Sequence, residues 1–131
     1  MKDFNELVKR AAQARERAYA PYSSFFVGAA LLCDDGSIYD GCNIENVSFT
    51  PTCCAERVAL FKAVSEGKKD FSAIAVVGGE KDGKMGVCYP CGVCRQVMAE
   101  FCPPELDVVL FDGNEISVTT LGELLPKAFK F

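Results

Sequence analysis

Two short segments hold side chains suited to metal chemistry: Thr52-Cys53-Cys54-Ala55-Glu56-Arg57 and Pro90-Cys91-Gly92-Val93-Cys94-Arg95-Gln96. A Cys-x-x-Cys pair at a turn into a helix points both sulfurs the same way, and the upstream segment adds a third. Zinc in catalytic sites takes three protein ligands and keeps one position for water. Cys54, Cys91 and Cys94 are the candidate ligands. Glu56 follows Cys54 by two residues, beside such a metal rather than on it, where it can carry protons. Ligation through Cys53 would swing Glu56 about a further 100° around the helix, so Cys53 is expected to be a bystander. Three thiolates on Zn²⁺ leave a net charge of about −1, which calls for a positive partner. Two helix N-termini, each about half a positive charge, and Arg57, one turn from Cys54, can supply it. The chain has no histidine, which removes Ser-His and Cys-His machinery and every imidazole ligand. Acid–base work near neutral pH then falls to a metal-bound water or to a carboxylate of shifted pKa, and burial beside an anionic cluster raises Glu56 in the required direction.

An iron–sulfur alternative comes from Cys88, Cys91 and Cys94 with Cys102 before Pro103. That arrangement wants a short interval before the fourth cysteine. A helix over the intervening residues puts Cys102 about 12 Å from Cys94 along its axis, out of reach of one cluster. Cys33, Cys42 and Cys102 are read as small core residues.

The elements that must position these groups follow from local pattern. Asp3 with Glu6 reads as a capping-box-like start, and Phe4, Leu7, Val8, Ala11, Ala14 and Ala18 recur at helical spacing over 4–19, before Pro21. Residues 25–33 read as a buried strand, with a turn at 34–37 into a second strand at 38–42, a hairpin. A helix over 54–66 offers Val58, Leu60, Phe61 and Val64 to a core and ends at Gly67. Then come a strand at 73–77, a loop over 79–90, a helix at 92–101, strands at 106–111 and 116–118, and a helical turn at 121–125. The expected class is α/β: a single domain over 1–131, a mixed sheet of about five strands layered with helices and parallel in the middle.

Composition bounds the rest. A chain of 131 residues fits one domain and buries roughly two-thirds of its unfolded surface. The formal charge of −4 argues against a nucleic-acid partner. The adjacent pair Lys68-Lys69 reads as solvated loop. No stretch is long and apolar enough to span a membrane or reads as an export signal, so eight cysteines imply reduced thiols and a cytoplasmic setting rather than disulfides.

The cysteine and glutamate segments match the general signature of zinc deaminases, with cysteine as the first ligand. Over nearly its whole length the chain resembles the small homotetrameric cytidine deaminases. The resemblance rests on Ala20-Pro21-Tyr22-Ser23, Val27-Gly28-Ala29-Ala30, Gly41-Cys42-Asn43-Ile44-Glu45-Asn46, Cys54-Ala55-Glu56-Arg57, Pro90-Cys91-Gly92 with Cys94-Arg95-Gln96, and Leu124-Leu125-Pro126 with Phe129, in that order. It implies hydrolytic deamination of cytidine and deoxycytidine, Cys54, Cys91 and Cys94 on zinc, and Glu56 as proton shuttle. It also implies that Phe25 packs on the pyrimidine, that Asn43 and Glu45 bond the ribose, and that Phe129 reaches a neighbouring subunit's site. Two rivals remain. One is a blasticidin-type deaminase. The other is a structural zinc module closed by Cys53 or Cys88 as fourth ligand.

Overall fold

The computed structural model describes residues 2–83 and 85–131. The chain runs α1 (Asn5–Arg15), β1 (Phe25–Cys33), β2 (Ile38–Cys42), α2 (Ala55–Ser65), β3 (Phe71–Glu80), β4 (Met85–Gly86), α3 (Gly92–Phe101), β5 (Asp107–Phe111), β6 (Ile116–Thr120) and α4 (Leu121–Leu124). The sheet order is β2-β1-β3-β5-β6, with β4 paired to the end of β3.

Side-chain alternation splits the sheet into two faces. Val27, Ala29 and Leu31 of β1 pack with Ile74 and Val76 of β3 beneath α2 and α3, in a core completed by Leu60, Met98 and Val108. Ala30, Ala73, Ala75, Val77 and Val109 point the other way and meet Leu7, Val8 and Ala11 of α1. The result is a helix–sheet–helix layering, as the α/β expectation required. Where α1 crosses β1 the contact is backbone on backbone: a Cβ on Gly28 would lie 1.9 Å from the Ala11 carbonyl oxygen and 2.5 Å from the Arg15 nitrogen. Only glycine fits there.

Among the described strands only β3 and β5 are parallel neighbours; β1 lies antiparallel between β2 and β3. The expected parallel middle is therefore a single pair. The crossover from β2 through α2 passes over β1, because the hairpin has placed β2 at the sheet edge. Helix α1 is shorter than expected at its C-terminal end. Tyr19 is drawn into an extended bridge with Ile44, which helical backbone cannot form. The Asp3 capping box is absent: Phe4 takes the N-cap position without a side-chain bond, and Asp3 Oδ1 accepts from Asn5 N instead. Strand β3 runs on past Val77, because Gly78 and Gly79 are paired on both sides, to Val27 and Phe26 and to Gly86 and Met85. The loop expected over 79–90 thus contains a two-residue strand, too short to leave a periodic signal. In α2, Leu60 is buried but Phe61 is exposed, and the helix ends before Gly67 at φ +90°. Cys33 and Cys102 are core residues, whereas Cys42 is only half-buried, and all eight thiols are free. Lys68 is an ion-pair partner of Asp35 at 2.8 Å rather than a purely solvated side chain. No helix among the described residues is long and apolar enough to cross a membrane.

Candidate active site

Cys54 is the N-cap of α2 and Cys91 the N-cap of α3, both with extended backbone. Cys94 lies in the first turn of α3, and its amide donates to Cys91 Sγ at 3.5 Å. Both helix N-termini therefore meet at the sulfurs, where their partial positive charge favours thiolates. Arg57 adds to it, donating from its guanidinium to Cys54 Sγ and to the Thr52 carbonyl, each at 3.4 Å. Contact with Cys54 raises the Arg57 pKa further, so its charge is permanent. The Cys54 thiol is pulled down to about 5, first by the bond from Cys94 and then, against burial, by Arg57 and Cys91. Cys94, the donor in that pair, is pushed up by the same bond and by burial. Of Cys54 and Cys94, Cys54 is the first to ionise.

The three ligand atoms lie within 4.8 Å of one another, and no other such group of potential metal ligands occurs among the described residues. Two sulfurs on a tetrahedral zinc at about 2.3 Å each stand about 3.8 Å apart. Cys54 Sγ and Cys91 Sγ are 3.8 Å apart. An all-thiolate donor set also suits zinc over the hard divalent ions. The residues fit the metal. Neither Cys53 nor Cys88 belongs to the group, so no fourth sulfur closes it, and Cys91 is solvent-exposed.

Glu56, in the first turn of α2, is only 4 % exposed. Burial, with a contribution from the Cys54 charge, pushes its carboxyl up to about 7, as a group that must both accept and donate protons requires. It lines a cavity of about 320 Å³ together with Ser23, Phe25, Asn43, Glu45 and Cys54. That volume lies at the lower end of the range for small-molecule pockets. Phe25 and Cys88 can lie against β3 because residue 78 is glycine: a Cβ there would stand 2.9 Å from Cys88 Sγ and 3.2 Å from the Phe25 ring.

The loops around the cavity are tied together by backbone. Ile44 bridges Cys53 on one side and Tyr19 on the other, which fixes Asn43, Glu45 and the approach to Cys54 as one unit. Asn43, 9 % exposed, accepts from Val27 N at 2.9 Å through Oδ1 and donates to the Phe25 carbonyl at 2.8 Å through Nδ2. It therefore clamps the start of β1 as well as lining the cavity. Glu45 Oε1 accepts from the amides of Tyr22 and Ser23, and Oε2 from the Ser23 hydroxyl. The Ser23 bond foremost holds the Glu45 carboxyl below the usual range. Of the expected site residues only Phe129 lies elsewhere: it is 68 % exposed, edge-on to Phe131, with its carbonyl held by Gln96 at 3.3 Å. Ser23, Cys88 and Tyr89 line the cavity without having been singled out for it. For Ser23 the available signal was its place beside Phe25 in the Ala20–Ser23 stretch.

Comparison with known proteins places this arrangement. The family model described as the cytidine and deoxycytidylate deaminase zinc-binding region matches residues 1–110. A cytidine deaminase of Halalkalibacterium halodurans is 58% identical over 130 residues, covering 97% of this chain and 94% of that protein. The crystal structure of cytidine deaminase from Burkholderia pseudomallei superposes with a TM-score of 0.89 at 49% identity, covering 98% of this chain and all of that one. A blasticidin-S deaminase of Bacillus cereus is 34% identical over 136 residues, with 96% of each chain covered. The likeness to the Halalkalibacterium halodurans cytidine deaminase, at 58%, is well above that to the blasticidin-S deaminase, at 34%. With a three-thiol cluster and a buried glutamate at the helix ends of a mixed sheet, the chain belongs to the family described as the cytidine and deoxycytidylate deaminase zinc-binding region.

Proposed function

We propose that this protein, as one domain over residues 1–131, hydrolyses cytidine and deoxycytidine to the uracil nucleosides with release of ammonia. The observation that carries the reading is Glu56, buried with a carboxyl near 7 in the same cavity as Cys54 and Cys91. Cys54, Cys91 and Cys94 would hold the zinc, with Arg57 offsetting their charge. Zinc bound there supplies a water of lowered pKa in the position that no protein ligand fills. Glu56 would then carry two protons of the attacking water. The first goes to N3 of the pyrimidine as the water oxygen bonds to C4. The second, taken from the hydroxyl so formed, goes to the amino group as its bond to C4 breaks and ammonia leaves. Phe25 offers its ring to the base. Glu45, and the remaining hydrogen-bonding capacity of Asn43, face the sugar.

Likeness supports the nucleoside over blasticidin S, and the open thiolate group supports an enzyme over a structural zinc module. One assay separates them: purified protein is given cytidine, deoxycytidine and blasticidin S, and loss of cytosine absorbance is followed. Turnover of both nucleosides is expected, and turnover of blasticidin S alone, or of nothing, would refute the proposal.

The working unit is proposed to be a homotetramer, with Phe129 reaching a neighbour's cavity. Its support is the set of large apolar side chains left exposed at Tyr19, Val47, Phe49, Tyr89, Val93 and Phe129, which a neighbouring subunit would cover. Light scattering is expected to give four times the 14.2 kDa chain mass; fully active protein at the mass of one chain would contradict it. The eight free thiols suit a reducing compartment, and the cytoplasm is the proposed location.

A further inference from the structure

Residues 22–25 turn sharply into β1, and Ser24 stands at φ 58°, a conformation costly for a residue with a side chain. Besides the bond from Ser24 N to the Ala20 carbonyl at 3.1 Å and the Asn43 clamp on the Phe25 carbonyl, one carboxylate and one hydroxyl hold the turn. Glu45 Oε1 takes both amides, Tyr22 N at 2.9 Å and Ser23 N at 3.1 Å. Oε2 takes the Ser23 hydroxyl. The same Ser23 Oγ accepts from Phe25 N at 3.0 Å. Glu45 is fixed from its other side as well, its amide donating to the Tyr19 carbonyl at 2.9 Å.

A carboxylate offers about four acceptor positions. Three of those on Glu45 are filled from within the chain, both on Oε1 and one on Oε2. One position on Oε2 is left, and Ser23 and Glu45 both line the cavity. We infer that Ser23 is a positioning residue for sugar recognition: its hydroxyl orients Glu45 Oε2 so that the carboxylate accepts one sugar hydroxyl, and through Phe25 N it sets that carboxylate relative to the ring that meets the base. The inference rests on the nucleoside reading given above. It assigns Ser23 no contact with the reacting atoms.

A residue that only held the fold would lower activity on all substrates alike. A residue that acts through Glu45 on a sugar hydroxyl loses its effect when that hydroxyl is missing. The test is the ratio of kcat/KM for cytidine to that for 2′,3′-dideoxycytidine, measured on the zinc-loaded full chain. Ser23→Ala is expected to lower the ratio about tenfold or more, the scale of a hydrogen bond to a charged group, through a raised KM for cytidine with kcat little changed. Ser23→Thr, which keeps the hydroxyl, is expected to restore it. Ser23→Cys keeps the size without the strong donor; it should lower the ratio too, and decides the matter if the alanine variant does not fold. A ratio that stays at the wild-type value in Ser23→Ala or Ser23→Cys overturns the inference. A wild type that deaminates neither substrate is a different result, and overturns the nucleoside reading itself.

Discussion

Glu56→Gln is expected to keep one zinc per chain and to lose turnover by about 10⁴-fold, the upper end of what a single proton-transferring group contributes. The expectation sits at that end because, in the proposed reaction, one carboxyl would serve both N3 and the departing amine. Glutamine matches glutamate in size and occupies the same first-turn position of α2. It lies outside the three-thiol group, so the metal has no reason to leave. What glutamine lacks is a titrating oxygen. The glutamate carboxyl, raised to about 7 mainly by burial, can release and regain a proton at working pH; an amide cannot. Zinc analysis together with steady-state kinetics reads both halves of the prediction. A variant that keeps a tenth of the activity would remove Glu56 from the chemistry.

The second large effect separates two adjacent cysteines. Cys54→Ala is expected to lose zinc and all measurable turnover, whereas Cys53→Ala keeps its zinc and most of its kcat. Cys54 caps α2 and stands 3.8 Å from Cys91 Sγ, with Arg57 donating to it. Cys53 is held differently, by its backbone: its amide and carbonyl both pair with Ile44 at 2.9 Å, and its sulfur lies outside the three-thiol group. Any change in the Cys53 variant should fall on KM, since the side chain lines the cavity. Metal content and kinetics of the two variants decide the point. If Cys53→Ala strips the metal and Cys54→Ala does not, the ligand assignment is reversed. If both strip it, the site is a closed four-cysteine one and the enzyme reading falls with it.

What could be read from sequence was what local pattern determines. The first hairpin and α3 came out to the residue, because a continuous apolar run, Asp-Asp-Gly-Ser and Pro103-Pro104 are all short-range signals. The three sulfurs were legible for the same reason, each standing where a loop enters a helix. Apart from the Asp3 capping box, lost to a local bond with Asn5 N, the main failures are non-local. The bridge from Tyr19 to Ile44 shortens α1, and nothing within residues 4–19 announces it. Two-sided pairing keeps Gly78 and Gly79 in β3 although glycine is a poor strand former. The Asn43 side chain closes onto the backbone of Phe25 and Val27, a structural duty that its loop position concealed. Phe129 makes no contact with its own chain's cavity, so its expected role depends on an assembly that one chain does not contain.

Cys54 and Cys91 are separated by 37 positions, and the segment between them holds α2, β3 and β4. An ion gripped at both ends of that segment would act as a cross-link, curtailing the conformations open to the unfolded chain. By analogy with a covalent bridge closing a loop of this length, the restriction amounts to about 4 kcal/mol, comparable with much of the net stability of a small domain. The metal that serves the reaction would then also serve folding. Catalytic tuning at the ligands and thermodynamic robustness of the whole chain would share one set of bonds, so that neither could be altered alone.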